Sequence, residues 1–296
     1  MGQPFPSGEQ HSLELGDQRA LVTEVGATLR EYAAGGRELL DGFAAAEMCS
    51  GGRGQLLLPW PNRVRDGSYQ FAEHVLQLPL TDTEHGHAIH GLVRWQPWRL
   101  LDRAPERARL GFTLHPQPGY PFTLELEVEY RLGDEGLSAT TSARNLGGER
   151  APLGAGSHPY LRPRAGSVDG ALLHIPASSY LELDERLIPT GRRLSVEGTR
   201  FDYRRPRSVG DTVLDTCYTD FAEFFVELDG VRLWFDTKHP YLQAFTGDTL
   251  HRDRRRQGLA LEPMTCPADA FNSRLGLVEL APGAGWSGTW GISLPS

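Results

Sequence analysis

Glu262 follows the apolar run Leu259-Ala260-Leu261 and precedes Pro263. The run reads as a strand with little polar surface, so a carboxylate at its end is partly desolvated. Desolvation raises a carboxyl pKa and makes the group a usable base near neutral pH. The competing reading is a strand-end glutamate paired with a surface arginine, for which Arg254, Arg255 and Arg256 are candidates. His158 stands between Ser157 and Pro159. The proline holds the backbone of His158 in extended geometry and so gives its imidazole a defined direction. Histidine is the side chain best suited to exchanging a proton near pH 7. Here the competing reading is a core histidine satisfied by backbone groups.

His85, His87 and His90 cluster in EHGHAIHG. A His-x-His step on a strand puts two imidazoles on one face, an arrangement that metal sites of β-sandwich enzymes use. The usual carboxylate ligand a few residues on is missing, because Ala88, Ile89, Gly91 and Leu92 follow. No metal is expected. Ser157-His158 lacks the G-x-S-x-G elbow, and adjacent strand residues face opposite ways, which argues against a nucleophilic serine. Asn62 and Arg63 follow Pro59 and Pro61 in a rigid loop. Arginine there offers a fixed fork of donors for hydroxyls or carboxylates, or is an ordinary surface residue. The segment VLDTCYTDF adds Asp215 and Asp220. With neither G-x-G-x-x-G nor a P-loop, no cofactor is expected.

The elements that must position these residues are strands. In FTLELEVEY, Phe122, Leu124, Leu126, Val128 and Tyr130 share one face and Thr123, Glu125, Glu127 and Glu129 the other. That alternation predicts a half-buried antiparallel strand. GLSATTSARNL, VRLWFDT, YLQAFTGD and WSGTWGISL read alike, with turn signals at Asp229-Gly230, Gly133 to Gly136 and Pro282 to Gly285 between them. Short helical turns are expected near Asp184 to Leu187 and near Ala268 to Phe271. Parallel strands need crossovers that are not visible, and no blade-length repeat supports a propeller. The expectation is all-β: one large antiparallel β-sandwich domain over about residues 10–294. The charged segment His251 to Gln257, HRDRRRQ, reads as a solvated loop between strands.

The 296 residues include 34 Gly and 21 Pro, which suits many short strands joined by tight turns. A formal net charge of −8 argues against nucleic acid as a partner. No apolar run is long enough to cross a bilayer. The N-terminus MGQPFPSGEQHSLELG lacks the regions of a signal peptide and, with Pro6, the pattern for acylation at Gly2. Cys49, Cys217 and Cys266 are too few for a disulfide framework, so a cytoplasmic location is expected.

Taken together these islands resemble the aldose 1-epimerase (galactose mutarotase) family nearly end to end. The resemblance rests on the Pro-Asn-Arg loop with the DGSYQF strand after it, the His90-Gly91 step leading to Trp95, Ser-His-Pro-Tyr at Ser157 to Tyr160, Leu-Glu-Pro-Met-Thr at Leu261 to Thr265, and the segment Ile175 to Gly191. Each motif is short; their joint order and spacing is specific. The form Ala-Leu-Glu-Pro-Met-Thr-Cys-Pro looks closest to a bacterial subgroup related to sugar-operon mutarotases.

The resemblance implies a twisted supersandwich with an open cleft for one pyranose, a small sugar being the only partner implied. It implies that Glu262 is the general base on the anomeric hydroxyl and that His158 protonates the ring oxygen. It also implies that His90 binds and polarises the sugar near that oxygen, while Arg63 of the Asn62-Arg63 loop and Asp215 hold hydroxyls. Asp220 is the nearby alternative to Asp215. Trp60, Trp95 and Tyr160 are candidate stacking surfaces for a sugar ring, although core packing is the commoner role. Rival readings remain open at this level. One has Glu262 and Asp215 flank a glycosidic bond as the two carboxylates of a hydrolase or lyase. Another has the cleft bind sugar without turnover, and a third has His85 and His87 hold a cupin-type metal. The residues also leave open a neutral hexose such as glucose or galactose against a phosphorylated or sulfonated one, should Arg63, Arg65 or the 251–257 segment face the cleft.

Overall fold

The computed structural model describes residues 5–295, so Gly2 and the first residues of the N-terminal segment lie outside the described residues. Alternation governs most of the chain. In the strand Leu124–Gly133, Leu124, Leu126, Val128 and Tyr130 are fully buried while the glutamates between them reach the surface. Each such aliphatic contributes about 1.5–3 kcal/mol on burial. The strand starts two residues later than its pattern predicts: Phe122 is buried but lies in the irregular segment before it.

Two large sheets dominate. The nine-stranded sheet runs from Arg99–Ala104 through Leu124–Gly133, Gly136–Asn145 and Gly285–Ser293 to Arg207–Ser208. The eight-stranded sheet places Pro189–Ser195, Ala177–Leu183, Asp215–Phe221, Tyr241–Phe245 and Leu259–Met264 side by side, and ends on Gly156–Ser157 and Leu56–Leu57. Neighbours pair antiparallel in both. A four-stranded sheet spans Gln10–Leu15 to Arg37–Glu38. One continuous core joins them: Leu126 and Val128 of the nine-stranded sheet, Leu242, Ala244 and Leu261 of the eight-stranded sheet, and Leu13 and Val22 of the four-stranded one. The indole N–H of Trp290 donates to Ser157 Oγ at 2.9 Å and ties the two large sheets together.

Among the described residues, helix is confined to the single turn Ala270–Ser273 and two 3₁₀ turns, Arg65–Gly67 and Val168–Gly170. The helical turn expected near Ala268 to Phe271 is thus present, displaced by two residues. The one expected at Asp184 to Leu187 is instead the turn of a hairpin, with Leu187 N–H donating to Asp184 O and Asp184 N–H to Ile188 O. The Asp184 carboxylate also accepts from the backbone of Arg186 and Ile188, which favours the tight turn over a helix.

The charged segment 251–257 is more than a solvated loop. Arg256 reaches Asp248 at 2.9 Å and the carbonyls of Gly210 and Thr212, and Arg254 reaches Glu47 at 2.7 Å. These arginines tie loops together and do not pair with Glu262.

Candidate active site

Period-two geometry decides what the eight-stranded sheet presents on each face. Leu259, Leu261, Leu242 and Ala244 point into the core. The alternate residues therefore point the other way: Ala260, Glu262 and Met264 from one strand, Tyr241, Gln243 and Phe245 from the next, Asp215 and Cys217 from the third. In register, Glu262 lies beside Gln243 and Asp215 beside Phe245. Glu262 is the fourth residue of a six-residue strand buried at every position, not a strand-end residue as its context suggests. Loops wall this face into a cleft of about 380 Å³ lined by Glu262, His158, His90, Arg63, Asn62 and Asp215 together with Asp82, His85, Arg94, Trp95, Leu187 and Gln243.

His158 Nε2 lies 3.2 Å from Glu262 Oε1, both side chains almost fully buried. Burial disfavours the charged form of each. It pushes the Glu262 carboxyl well above its usual range, with nearby Asp215 adding to the rise and Arg63 opposing it. It pulls the His158 imidazole down to about 3, helped by Arg94 and Arg53. Between these limits the pair holds one proton, shared across the contact. Glu262 Oε2 and His158 Nδ1 have no partner among the described residues. The idea of a core histidine satisfied by backbone groups therefore does not describe His158. Its neighbour Ser157 points away and is occupied by Trp290.

The ring of His158 is held by stacking. Tyr160 lies parallel to it at 5.0 Å and 11°, and the Arg53 guanidinium covers the Tyr160 ring at 4.4 Å. Arg53 is itself held in a buried ion pair with Asp41 at 3.1 Å. Gly52 passes the imidazole edge so closely that a Cβ there would meet His158 Cδ2 at 2.7 Å. Tyr160 is thus the backing of the histidine and is not available as a sugar platform. Trp60 is buried against Phe271. Of the three stacking candidates only Trp95, 48% exposed, faces the cleft.

His90 and Asn62 form a reciprocal pair. His90 N–H donates to Asn62 O at 2.9 Å, and Asn62 N–H donates to His90 Nδ1 at 3.2 Å. Both residues have positive φ, 62° and 53°, a region that Asn and His enter more readily than most. The bond to Nδ1 leaves the ring proton on Nε2, and burial together with His158, Arg94 and Arg63 holds the imidazole well below its usual pKa. His90 is therefore a neutral hydrogen-bond donor, its ring edge-on to His158 at 5.3 Å.

Arg63 donates from Nε to Asp82 at 2.7 Å and from Nη1 to Asn62 Oδ1 at 3.4 Å. Asp215 accepts from Gln243 Nε2, and burial raises its carboxyl above the usual range against the pull of Arg63. Asp220 lies outside the cleft, paired with Arg193 at 3.0 Å. Arg65 pairs with Asp184. Arg254, Arg255 and Arg256 are not among the lining residues.

The His-x-His pair does not converge. His85 lines the cleft, whereas His87 is fully buried with Nδ1 accepting from Asp66 N–H at 3.0 Å and Nε2 donating to Arg186 O at 3.1 Å. A metal shared by the two would need nitrogens that His87 has already committed.

Sequence reasoning missed Asp82, Gln243 and Arg94. Gln243 had a signal, a polar residue inside YLQAF on the same alternation as Tyr241 and Phe245. Asp82 and Arg94 had none, since each matters through partners far along the chain or across the cleft.

Comparison with known proteins identifies the family. The chain is 33% identical over 290 residues to the uncharacterized protein YihR of Escherichia coli (strain K12), covering 94% of this chain and 90% of that protein. It is 25% identical over 255 residues to human galactose mutarotase, covering 75% and 72%. A GalM/aldose epimerase homologue from C. elegans superposes with a TM-score of 0.84 at 19% identity, covering 97% of this chain and 100% of that one. Galactose 1-epimerase from Lactobacillus acidophilus gives 0.80 at 21% identity, covering 96% and 93%. The family model described as Aldose 1-epimerase matches residues 10–293, so the chain belongs to the aldose 1-epimerase family and is an isomerase of sugars.

Proposed function

We propose that the cleft interconverts the α and β anomers of a free hexose, such as glucose or galactose, with Glu262 as base and His158 as acid. The observation that carries this reading is the 3.2 Å contact of Glu262 with His158; burial of both groups leaves them one proton to share. Moving that proton to Nε2 creates a carboxylate and an imidazolium with no change in net charge. The carboxylate takes the proton from O1 while the imidazolium delivers one to O5. The C1–O5 bond breaks, its electron pair goes to O5, and the O1–H pair becomes the carbonyl. Rotation about C1–C2 presents the other face, and reclosure reverses both transfers. Each transfer is a general acid or base term of about 10²–10⁴ in rate. His90, a fixed N–H donor beside His158, polarises the ring oxygen. Arg63, Asn62 and Asp215 hold the remaining hydroxyls, and Trp95 offers a ring face.

A glycosidase reading fits less well. In that chemistry the acid is a carboxyl facing the second carboxylate across the bond, whereas here the immediate partner of Glu262 is a histidine and Asp215 is engaged by Gln243. A binding-only role leaves the unpartnered Oε2 and Nδ1 of the buried pair unexplained.

One observation favours a second reading of the substrate, a hexose carrying an anionic substituent. Arg94 lines the cleft with Nε buried and unpartnered, and its other nitrogens reach only Gln55 and the Ile89 carbonyl, at 3.4 Å. A half-buried guanidinium without a counter-ion among the described residues favours an anion beside it. An anomer-exchange assay by polarimetry or NMR on neutral, phosphorylated and sulfonated hexoses tests both readings; no exchange of any of them ends the first. The three cysteines are buried free thiols, which supports a reducing, cytoplasmic setting.

A further inference from the structure

His85 is the one histidine of the cleft to which the mechanism assigns nothing, and it is held in place at three points. Its ring Nδ1 donates to both oxygens of Asp82, at 3.0 and 3.1 Å. Its backbone N–H donates to Asp82 Oδ1 at 3.3 Å. Its carbonyl accepts from Arg186 Nε at 3.0 Å and Nη2 at 2.8 Å. What remains is Nε2, on a side chain that lines the cleft and for which no protein partner exists among the described residues. A ring anchored this way has little freedom left to lose on meeting a ligand.

Its place along the cleft follows from the charged neighbours. Glu262 has Asp215 and Arg63 near it. Asp215 has Arg63, His85 and Asp82 near it. Arg63 and His85 both donate to Asp82 and so share one wall of the cleft. Glu262 pairs in register with Gln243 and Gln243 with Cys217, so Asp215 lies two strands and two residues away, about 12 Å between backbones at the usual spacings. A sugar whose C1 meets Glu262 extends its far hydroxyls towards His85. A hydroxyl both donates and accepts, so it can pair with Nε2 whether or not that nitrogen carries a proton.

We propose that His85 is a specificity residue that reads a ring hydroxyl remote from the anomeric carbon, with Asp82 as the residue that positions it. This rests on the mutarotase reading above. Asp82 serves both Arg63 and His85, so one carboxylate aims two sugar-facing donors from the same wall. Those hydrogen bonds outweigh the effect of burial and keep Asp82 ionised, below the usual carboxylate range.

The test is a hydroxyl-deletion cycle. The probe is whichever of D-glucose, D-galactose and their 6-phosphates and 6-sulfonates is exchanged with the highest kcat/KM, with its 3- and 4-deoxy analogues and, as a control beside the anomeric carbon, its 2-deoxy analogue. Each rate is divided by the uncatalysed rate of the same sugar. In the native protein removal of the hydroxyl read by His85 costs about 10-fold or more in kcat/KM. In His85→Phe, which keeps the ring volume and removes both nitrogens, the same deletion costs less than about threefold. The other deletions keep their native penalties, and kcat for the parent sugar falls far less than in Glu262→Gln. His85→Ala gives the same pattern if the Phe variant folds poorly. Unchanged penalties at positions 3 and 4 in both variants overturn the role of His85 and leave the mutarotase reading standing. Absence of exchange by the native protein with every parent sugar overturns that reading, and His85 with it.

Discussion

The contact of Glu262 with His158 sets expectations at the scale of single residues. Glu262→Gln keeps shape and hydrogen bonding but removes the base, and His158→Asn keeps a polar side chain but removes the acid. Each lowers kcat by about 10²–10⁴. The double variant costs much less than the product, because both groups act in one step, and Asp215→Asn acts mainly on KM; steady-state anomer exchange reads all four. The pH profile follows from the directions of the shifts. The residue types alone suggest a pair lifted together by burial, but burial acts oppositely on an acid and a base. Glu262 is raised and His158 lowered to about 3. The active one-proton pair gains its second proton only near that acid limit and loses its proton only well above the usual carboxyl range. The profile of kcat/KM is therefore a plateau whose acid limb lies far below the ordinary histidine value of about 6.5 and whose alkaline limb lies above the usual carboxyl range. An acid limb near 6.5 contradicts the neutral state assigned to His158.

Elements explain why the candidate site residues were legible and their supports were not. Glu262, His158, His90, Asn62, Arg63 and Asp215 interrupt the alternating texture in short motifs, and the fold brings all six to one cleft. Register does this work for Glu262 and Asp215: a slip of one residue in Leu259–Met264 would turn the carboxylate into the core. The buried stack of Asp41, Arg53 and Tyr160 behind His158 was invisible because its members are 12 and 107 positions apart and Asp41 and Arg53 carry no motif. For the same reason Tyr160 and Trp60, plausible sugar platforms as residue types, are core residues. Glycine at position 91 has a local reason. It has φ of 70°, and a Cβ there would meet the Leu58 carbonyl oxygen at 1.9 Å. Gly91→Ala costs about 1–2 kcal/mol for the backbone region alone and displaces His90, so both Tm and kcat fall. An alanine variant with native kcat shows that the His90-Gly91 step does not position the donor.

The whole molecule is a pair of large antiparallel sheets whose shared core leaves one face of the eight-stranded sheet to chemistry. Alternation made the fold class readable, because a half-buried strand must repeat every two residues. The packing of loops was not readable, and the 251–257 segment is the clearest example. Replacing Arg254, Arg255 and Arg256 together by Ala leaves kcat for a neutral hexose nearly unchanged, since none of them lines the cleft. It nonetheless lowers stability by about 1–3 kcal/mol, the scale of lost charged hydrogen bonds, because Arg256 anchors Asp248 and two carbonyls. Thermal unfolding beside steady-state rates separates the two effects, and a native Tm would return the segment to a solvated loop. The most direct measurement of the central claim follows α/β exchange of free hexoses, neutral and anionic, by NMR in the same preparations that are offered an aryl glycoside. Native protein is expected to exchange a free sugar and leave the glycoside intact, with Glu262→Gln and His158→Asn both severely impaired and Asp215→Asn impaired chiefly in KM. Release of the aryl group, with Asp215 essential and His158 dispensable, would contradict the account.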